Sequence, residues 1–124
     1  MNLKKLFLDY CKKNNLEINS GQLDIIEYLK KFYNSNFKKT LLKKIFLKKN
    51  LKTGFYLQGD VGVGKTMILN FFFDNFDYSK ERLHFNEFMI SFHDFVFKNK
   101  NNKQGNIIER FVNKLKKNEL IYFD

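Results

Sequence analysis

The first third of the chain alternates apolar and polar positions at helical spacing. Residues 2–14 place apolar side chains on one helical face, at Leu3, Leu6, Phe7 and Tyr10. This spacing predicts an amphipathic helix. A second helix is predicted to begin after Asn19, because Gln22 follows three residues later as in a capping box, and to run through Tyr33. Residues 36–50 predict a third helix.

The pattern changes after residue 50. Residues 55–57 form a short aromatic and aliphatic run, which predicts a buried parallel strand. A glycine-rich loop follows, and residues 65–76 are apolar on most faces. We therefore predict a largely buried helix directly after the loop.

The second half of the chain predicts a strand, two helices and a closing strand. Residues 82–86, which include His84, predict the first of these strands, and Asn86 is predicted to cap a helix that runs to about Lys98. Another helix is predicted over residues 106–117, with these apolar side chains inside: Ile107, Ile108, Phe111, Val112 and Leu115. Residues 120–123 predict an apolar strand closed by Asp124. Strands that alternate with helices indicate an α/β fold with a parallel sheet.

The glycine-rich loop carries the main candidate chemistry. Residues 59–66 read GDVGVGKT and match G-x-x-x-x-G-K-[ST] at every fixed position. The glycines let the backbone turn N–H groups towards phosphate oxygens, and the following helix adds the positive end of its dipole. Lys65 is predicted to act catalytically at the β- and γ-phosphates, and the Thr66 hydroxyl to ligate Mg²⁺. The predicted nucleotide-binding residues are Gly59, Asp60, Val61, Gly62, Val63, Gly64, Lys65, Thr66 and Met67.

The acid after the last predicted strand is the second candidate metal ligand. P-loop enzymes hold Mg²⁺ partly through a carboxylate at the tip of an apolar strand, and Asp124 has that position. In many such ATPases a Glu follows this Asp and positions the attacking water. The sequence ends at Asp124, so we expect the general base to come from elsewhere. Whether this chain hydrolyses nucleotide unaided stays open.

Three stretches of the sequence resemble the AFG/ZapE-type ATPases, which are AAA+-related P-loop proteins. They read GFYLQGDVGVGKTMILNFFF, KERLHFNEFMISFH and ELIYFD, and the resemblance covers residues 52–124. One departure is Asn86, where the family pattern has a His. We therefore predict a helical N-terminal lead-in, residues 1–50, followed by the N-terminal part of a P-loop ATPase domain, residues 51–124.

The resemblance implies ATP and Mg²⁺ as cofactors and a role in cell division, as in the bacterial members. It also implies a longer protein with a further strand, a polar sensor, an arginine finger and a helical lid. Self-association or a complementing C-terminal chain is the partner we expect on this basis. The alternative hypothesis is a non-catalytic nucleotide-binding module that acts by contacting a protein or an anionic partner.

The net charge of +10 has two explanations. A basic chain can bind nucleic acid or anionic surfaces. The sequence also lacks Ala, Pro and Trp and is crowded with Lys, Asn, Ile and Phe, which is what an AT-rich genome produces by codon bias. We favour the compositional cause and do not predict nucleic acid as a partner.

The sequence predicts a cytoplasmic protein without a transmembrane segment. No apolar run approaches the roughly 18 residues that a spanning helix needs. The N-terminal apolar stretch is short and is interrupted by Asp9, unlike a signal peptide. Cys11 is the single cysteine, and we interpret it as a buried, idle thiol.

Overall fold

The computed structural model describes residues 1–37, 53–59, 64–101 and 105–124. These residues form helices and one two-stranded parallel sheet, which confirms the predicted α/β class. They divide into two compact units, Met1–Asp74 and Asn75–Asp124. The third predicted helix and the boundary predicted between residues 50 and 51 fall mainly on residues 38–52, which lie outside the described residues. Of the described helices, none is long and apolar enough to cross a membrane.

The first unit contains three described helices: α1 (Leu3–Lys13), α2 (Ser20–Asn36) and α3 (Lys65–Asp74). The predicted capping box at the start of α2 is confirmed. The Asn19 side chain accepts a hydrogen bond of 2.8 Å from the Gln22 backbone N–H, and the Gln22 side chain accepts one of 3.2 Å from the Asn19 backbone N–H. These reciprocal bonds satisfy two otherwise unpaired donors and fix where α2 begins.

An aromatic core joins the helices of the first unit. The Phe71 ring on α3 lies 5.3 Å from the Phe7 ring and 5.2 Å from the Tyr10 ring of α1. The Phe72 ring contacts α2 instead, where it lies 6.4 Å from the Phe32 ring. Such edge-on and tilted ring contacts add to the burial of apolar surface. The helix that follows the glycine-rich loop is thus anchored on both α1 and α2.

Cys11 is completely buried on α1, and burial raises the pKa of its thiol. Because the thiolate is the reactive form, we expect Ellman's reagent to label the native chain about 100-fold or more slowly than the urea-unfolded chain. Stopped-flow absorbance measures both rates, with glutathione as the reference for an exposed thiol. Equal rates for native and unfolded chain would contradict the packing of α1 described above.

The strand predicted over residues 55–57 is not present, and the prediction was wrong. Residues 53–59 are described without regular secondary structure. A strand is defined by the ladder it makes with a neighbouring strand, and the described strands pair only with each other. Phe55 is nevertheless placed near α2, with its ring 6.0 Å from the Phe32 ring.

The second unit contains β1 (Lys80–Leu83), α4 (Phe85–Lys98), α5 (Ile107–Leu115) and β2 (Leu120–Phe123). The strands are parallel, and their register pairs Lys80 with Leu120 and Leu83 with Phe123. The carboxyl ends of both strands therefore lie at one edge of the sheet. In α/β sheets this is the edge at which ligands bind.

The boundary between β1 and α4 differs from the prediction. The strand ends at Leu83, so His84 is not a strand residue but the N-cap of α4, and Asn86 lies in the first helical turn rather than at the cap. Two hydrogen bonds to the backbone of Asp124 fix this boundary. The Asp124 N–H donates to the Leu83 carbonyl at 2.9 Å, and the Phe85 N–H donates to the Asp124 carbonyl at 3.0 Å. Pairing with β2, rather than the local cap signal, decides where β1 ends.

Helix α5 buries only part of the apolar set predicted to lie inside. Phe111 is 8% exposed and contacts three rings of α4, those of Phe88, Phe92 and Phe95, at 5.2–5.6 Å. Ile108 and Val112, in contrast, are 58% and 40% exposed. They lie one residue further along than Ile107 and Phe111, so each is rotated about 100° away from the face that meets α4.

Candidate functional site

The candidate phosphate site is built at the start of α3. Lys65 is the first residue of this helix, and its Nζ donates a hydrogen bond to the Gly59 carbonyl oxygen. The lysine thus folds back to the glycine that opens the motif. Gly59, Gly64, Lys65, Thr66 and Met67 are described, whereas four predicted positions lie outside the described residues: Asp60, Val61, Gly62 and Val63.

The N-terminal end of α3 is suited to an anion. The Ile68 N–H donates to the Gly64 carbonyl at 3.1 Å, which closes the first turn. The N–H groups before it have no acceptor within a helix, and together they carry the positive end of the helix dipole. The first turn of α3 contains no acidic side chain that would compete for this end. A phosphate group is the ligand that such an arrangement favours.

Gly64 is held in a backbone conformation that favours glycine, with φ of +76°. A Cβ atom at this position would lie 3.1 Å from Nε2 of Gln22, which is only 9% exposed. The buried amide that caps α2 therefore also packs against the end of the loop. The sequence identified Gln22 as a capping residue but gave no signal for this second contact, which depends on how α2 packs against α3.

Replacing Gly64 by alanine should destabilise the first unit. A left-handed backbone costs an alanine about 1–2 kcal/mol, and the contact with Gln22 adds to this. We expect the urea midpoint, followed by the exposure of Cys11, to fall accordingly. Two control variants separate the cost of the left-handed backbone from the cost of the contact with Gln22. Gly54→Ala adds a Cβ where nothing lies within 4 Å, and Gly105→Ala adds one in open space at φ of +85°. A Gly64→Ala variant as stable as Gly54→Ala would contradict this interpretation.

The second candidate element lies at the carboxyl edge of the sheet. Asp124 follows β2, and its side chain is 32% exposed. Its Oδ2 accepts a hydrogen bond of 2.5 Å from the Arg82 guanidinium, and His84 Nδ1 lies 3.7 Å from the same oxygen. The sequence predicted Asp124 as a ligand and did not single out Arg82. The charged neighbour of the predicted metal ligand is therefore a finding of the structure.

The pKa of the Tyr122 hydroxyl reflects the charges at the carboxyl edge of the sheet. Burial raises the pKa of its hydroxyl, the charge of Asp124 raises it further, and Arg82 opposes both. The Arg82 guanidinium also lies 5.1 Å from the centre of the Tyr122 ring. Arg82 is thus held by a carboxylate and by an aromatic face, two partners that guanidinium groups favour.

The candidate metal ligands of this chain are oxygen atoms, the ligand type that Mg²⁺ prefers. Mg²⁺ prefers hard oxygen ligands and is usually held by one or two carboxylates together with substrate phosphates. Asp124 offers a carboxylate and Thr66 an exposed hydroxyl, and they belong to different compact units. Among the described residues, no group of three or more His, Cys, Asp and Glu side chains could hold a metal ion.

Comparison with known proteins confirms the resemblance noted in the sequence. No solved structure matches the chain. The sequence model of the AFG1-like ATPase family matches residues 7–124 and so covers nearly the whole sequence, including the glycine-rich loop, β1 and Asp124. The chain therefore belongs to the AFG1-like ATPase family.

Proposed function

We propose that this chain binds Mg·ATP through its glycine-rich loop and forms the nucleotide-binding part of an AFG/ZapE-like ATPase. The observation that carries the proposal is the position of Lys65. This residue begins α3, and its Nζ bonds back to the Gly59 carbonyl oxygen. An ammonium group beside the loop glycines and at a helix N-terminus is the arrangement that recognises the β- and γ-phosphates.

Each proposed site residue has a separate task. Lys65 binds the β- and γ-phosphates, and the loop from Gly59 to Met67 surrounds them with backbone N–H groups. The Thr66 hydroxyl and the Asp124 carboxylate provide oxygen ligands. Bound Mg²⁺ would neutralise phosphate charge.

The wider role is proposed for the complete protein. There, Mg-dependent hydrolysis of ATP would use a Glu after Asp124, a sensor and an arginine finger, as the resemblance implies. A link to cell division is proposed from the same resemblance, and a cytoplasmic location from the hydropathy pattern of the sequence. Self-association or a complementing C-terminal chain is the partner that we propose. In the alternative, a non-catalytic module binds nucleotide in the same loop and acts through a protein or anionic partner.

Calorimetric titration of Mg·ATP into the purified chain tests the proposal, with Lys65→Ala as the matched variant. We expect one saturable site in the wild-type chain. Absence of binding by a folded, monomeric chain would overturn the proposal. The rate of phosphate release, measured on the same sample, then distinguishes an ATPase from a non-catalytic module, because the module binds ATP without releasing phosphate.

A further inference from the structure

The carboxamide of Gln22 is a buried polar group that uses only its oxygen within the described part of the chain. Gln22 is the third residue of α2 and is only 9% exposed. Its Oε1 accepts the 3.2 Å hydrogen bond from the Asn19 backbone N–H, which fixes which end of the amide is the oxygen. Among the described residues, none accepts a hydrogen bond from Nε2. Because buried amide donors are rarely left unpaired, we expect an acceptor for this nitrogen.

The Gln22 nitrogen lies at the start of α3. Nε2 is 3.1 Å from the position that a Cβ atom of Gly64 would occupy. Gly64 directly precedes Lys65, which is the first residue of this helix. Glycine has no side chain, so no side-chain atom of Gly64 separates Nε2 from the backbone. The Gln22 donor therefore faces the point at which the glycine-rich loop becomes a helix.

Two helix N-termini come together at this point, both within the first unit. Gln22 belongs to the first turn of α2, and Gly64 directly precedes the first turn of α3. The N-terminal end of a helix has unpaired N–H groups and carries the positive end of the helix dipole. Neither first turn contains an acidic side chain. The surroundings of Nε2 therefore favour an anion, and its own N–H groups add to the donors available there.

We propose that Gln22 is a nucleotide-binding residue whose Nε2 donates a hydrogen bond to a phosphate oxygen of the nucleotide bound at the start of α3. This inference rests on the proposed function, since it needs a nucleotide in the glycine-rich loop. It adds to the site a residue of α2, outside the loop motif. The bond from the Asn19 N–H holds the carboxamide in place before the ligand arrives, so little side-chain entropy is lost on binding.

Gln22→Glu tests the phosphate contact without breaking the capping box. Glutamate also completes a capping box, so α2 should still begin at the same residue. The carboxylate has no N–H to donate, and its charge repels a phosphate. We expect the affinity for Mg·ATP, measured by calorimetry, to fall about tenfold or more, since a hydrogen bond to a charged group is lost. Asn2→Asp makes the same change from amide to carboxylate at the exposed N-cap of α1 and should bind like the wild-type chain.

A second pair of variants separates contact with the ligand from helix capping. Gln22→Ala and Asn19→Ala each remove one of the two reciprocal capping bonds, and urea unfolding without nucleotide measures the cost of each removal. Only Gln22→Ala also removes Nε2, so we expect it to lose about tenfold more affinity for Mg·ATP than Asn19→Ala. Equal losses would overturn the proposal and leave Gln22 with a capping role alone. This pair also decides the outcome if the buried carboxylate of Gln22→Glu prevents folding.

Inorganic tripolyphosphate shows which part of the nucleotide Gln22 contacts, because it has phosphates and no base. The proposal expects Gln22→Glu to weaken the binding of tripolyphosphate and of ATP alike. Weaker binding of ATP alone would overturn the phosphate contact in favour of one with the nucleoside. Binding of ATP that Lys65→Ala abolishes and Gln22→Glu leaves unchanged would overturn only the role of Gln22. No binding of ATP by the folded wild-type chain would instead remove the proposed function itself.

Discussion

Substituting Lys65 by alanine is expected to weaken Mg·ATP binding by up to about 100-fold, since a hydrogen bond to a charged group contributes about 1.5–3 kcal/mol. Lys65 Nζ already lies at the Gly59 carbonyl oxygen, so the ammonium is held beside the loop before any ligand arrives. Binding then requires little rearrangement of the lysine. Calorimetry at a fixed salt concentration measures the change.

The control for Lys65→Ala must remove a charge without touching the loop. Lys12→Ala does so, because Lys12 lies in the last turn of α1, in the same compact unit. Alanine is the best helix former, so α3 should still begin at residue 65, and the urea midpoint of Lys65→Ala should stay close to that of the wild type. Wild-type affinity in a folded Lys65→Ala chain would show that the loop does not hold the phosphates as proposed.

Elements specified by neighbouring residues could be predicted from the sequence. The start of α2 is an example, because Asn19 and Gln22 satisfy each other's backbone donors within one helical turn. The order of β1, α4, α5 and β2, and Asp124 directly after β2, were predictable for the same reason. Each depends on hydrophobic periodicity or on residues adjacent in the chain.

Features that depend on tertiary pairing could not be predicted in this way. The predicted strand over residues 82–86 placed Arg82 at its beginning, whereas β1 spans Lys80–Leu83 and Arg82 lies near its end. Only the observed register, with Arg82 opposite Tyr122, brings the guanidinium to Asp124. A signal was nevertheless present. Arg82 and His84 are two residues apart, as are Tyr122 and Asp124, so parallel strands that end together place all four on one face.

Phe71→Ala is expected to have the largest effect on stability. The Phe71 side chain is 5% exposed and its ring contacts those of Phe7 and Tyr10. Removing such a ring costs about 3–5 kcal/mol, a large part of the roughly 5–15 kcal/mol that stabilises a typical domain. We expect early loss of α3 on heating and fast labelling of Cys11, measured by circular dichroism and by thiol reactivity.

The same variant links the core to the proposed site. Because Phe71 lies on α3, the helix that begins with Lys65, ligand binding and folding of this helix should be coupled. Mg·ATP at about 100 times its dissociation constant would restore about 2.7 kcal/mol, so saturating nucleotide should recover much of the lost stability. Phe97→Ala, at a side chain that is 78% exposed, should cost less than about 0.5 kcal/mol and serves as control. Stabilisation of the wild-type chain but not of Phe71→Ala by saturating Mg·ATP would contradict the predicted recovery, because it would mean that the folded variant no longer binds the nucleotide.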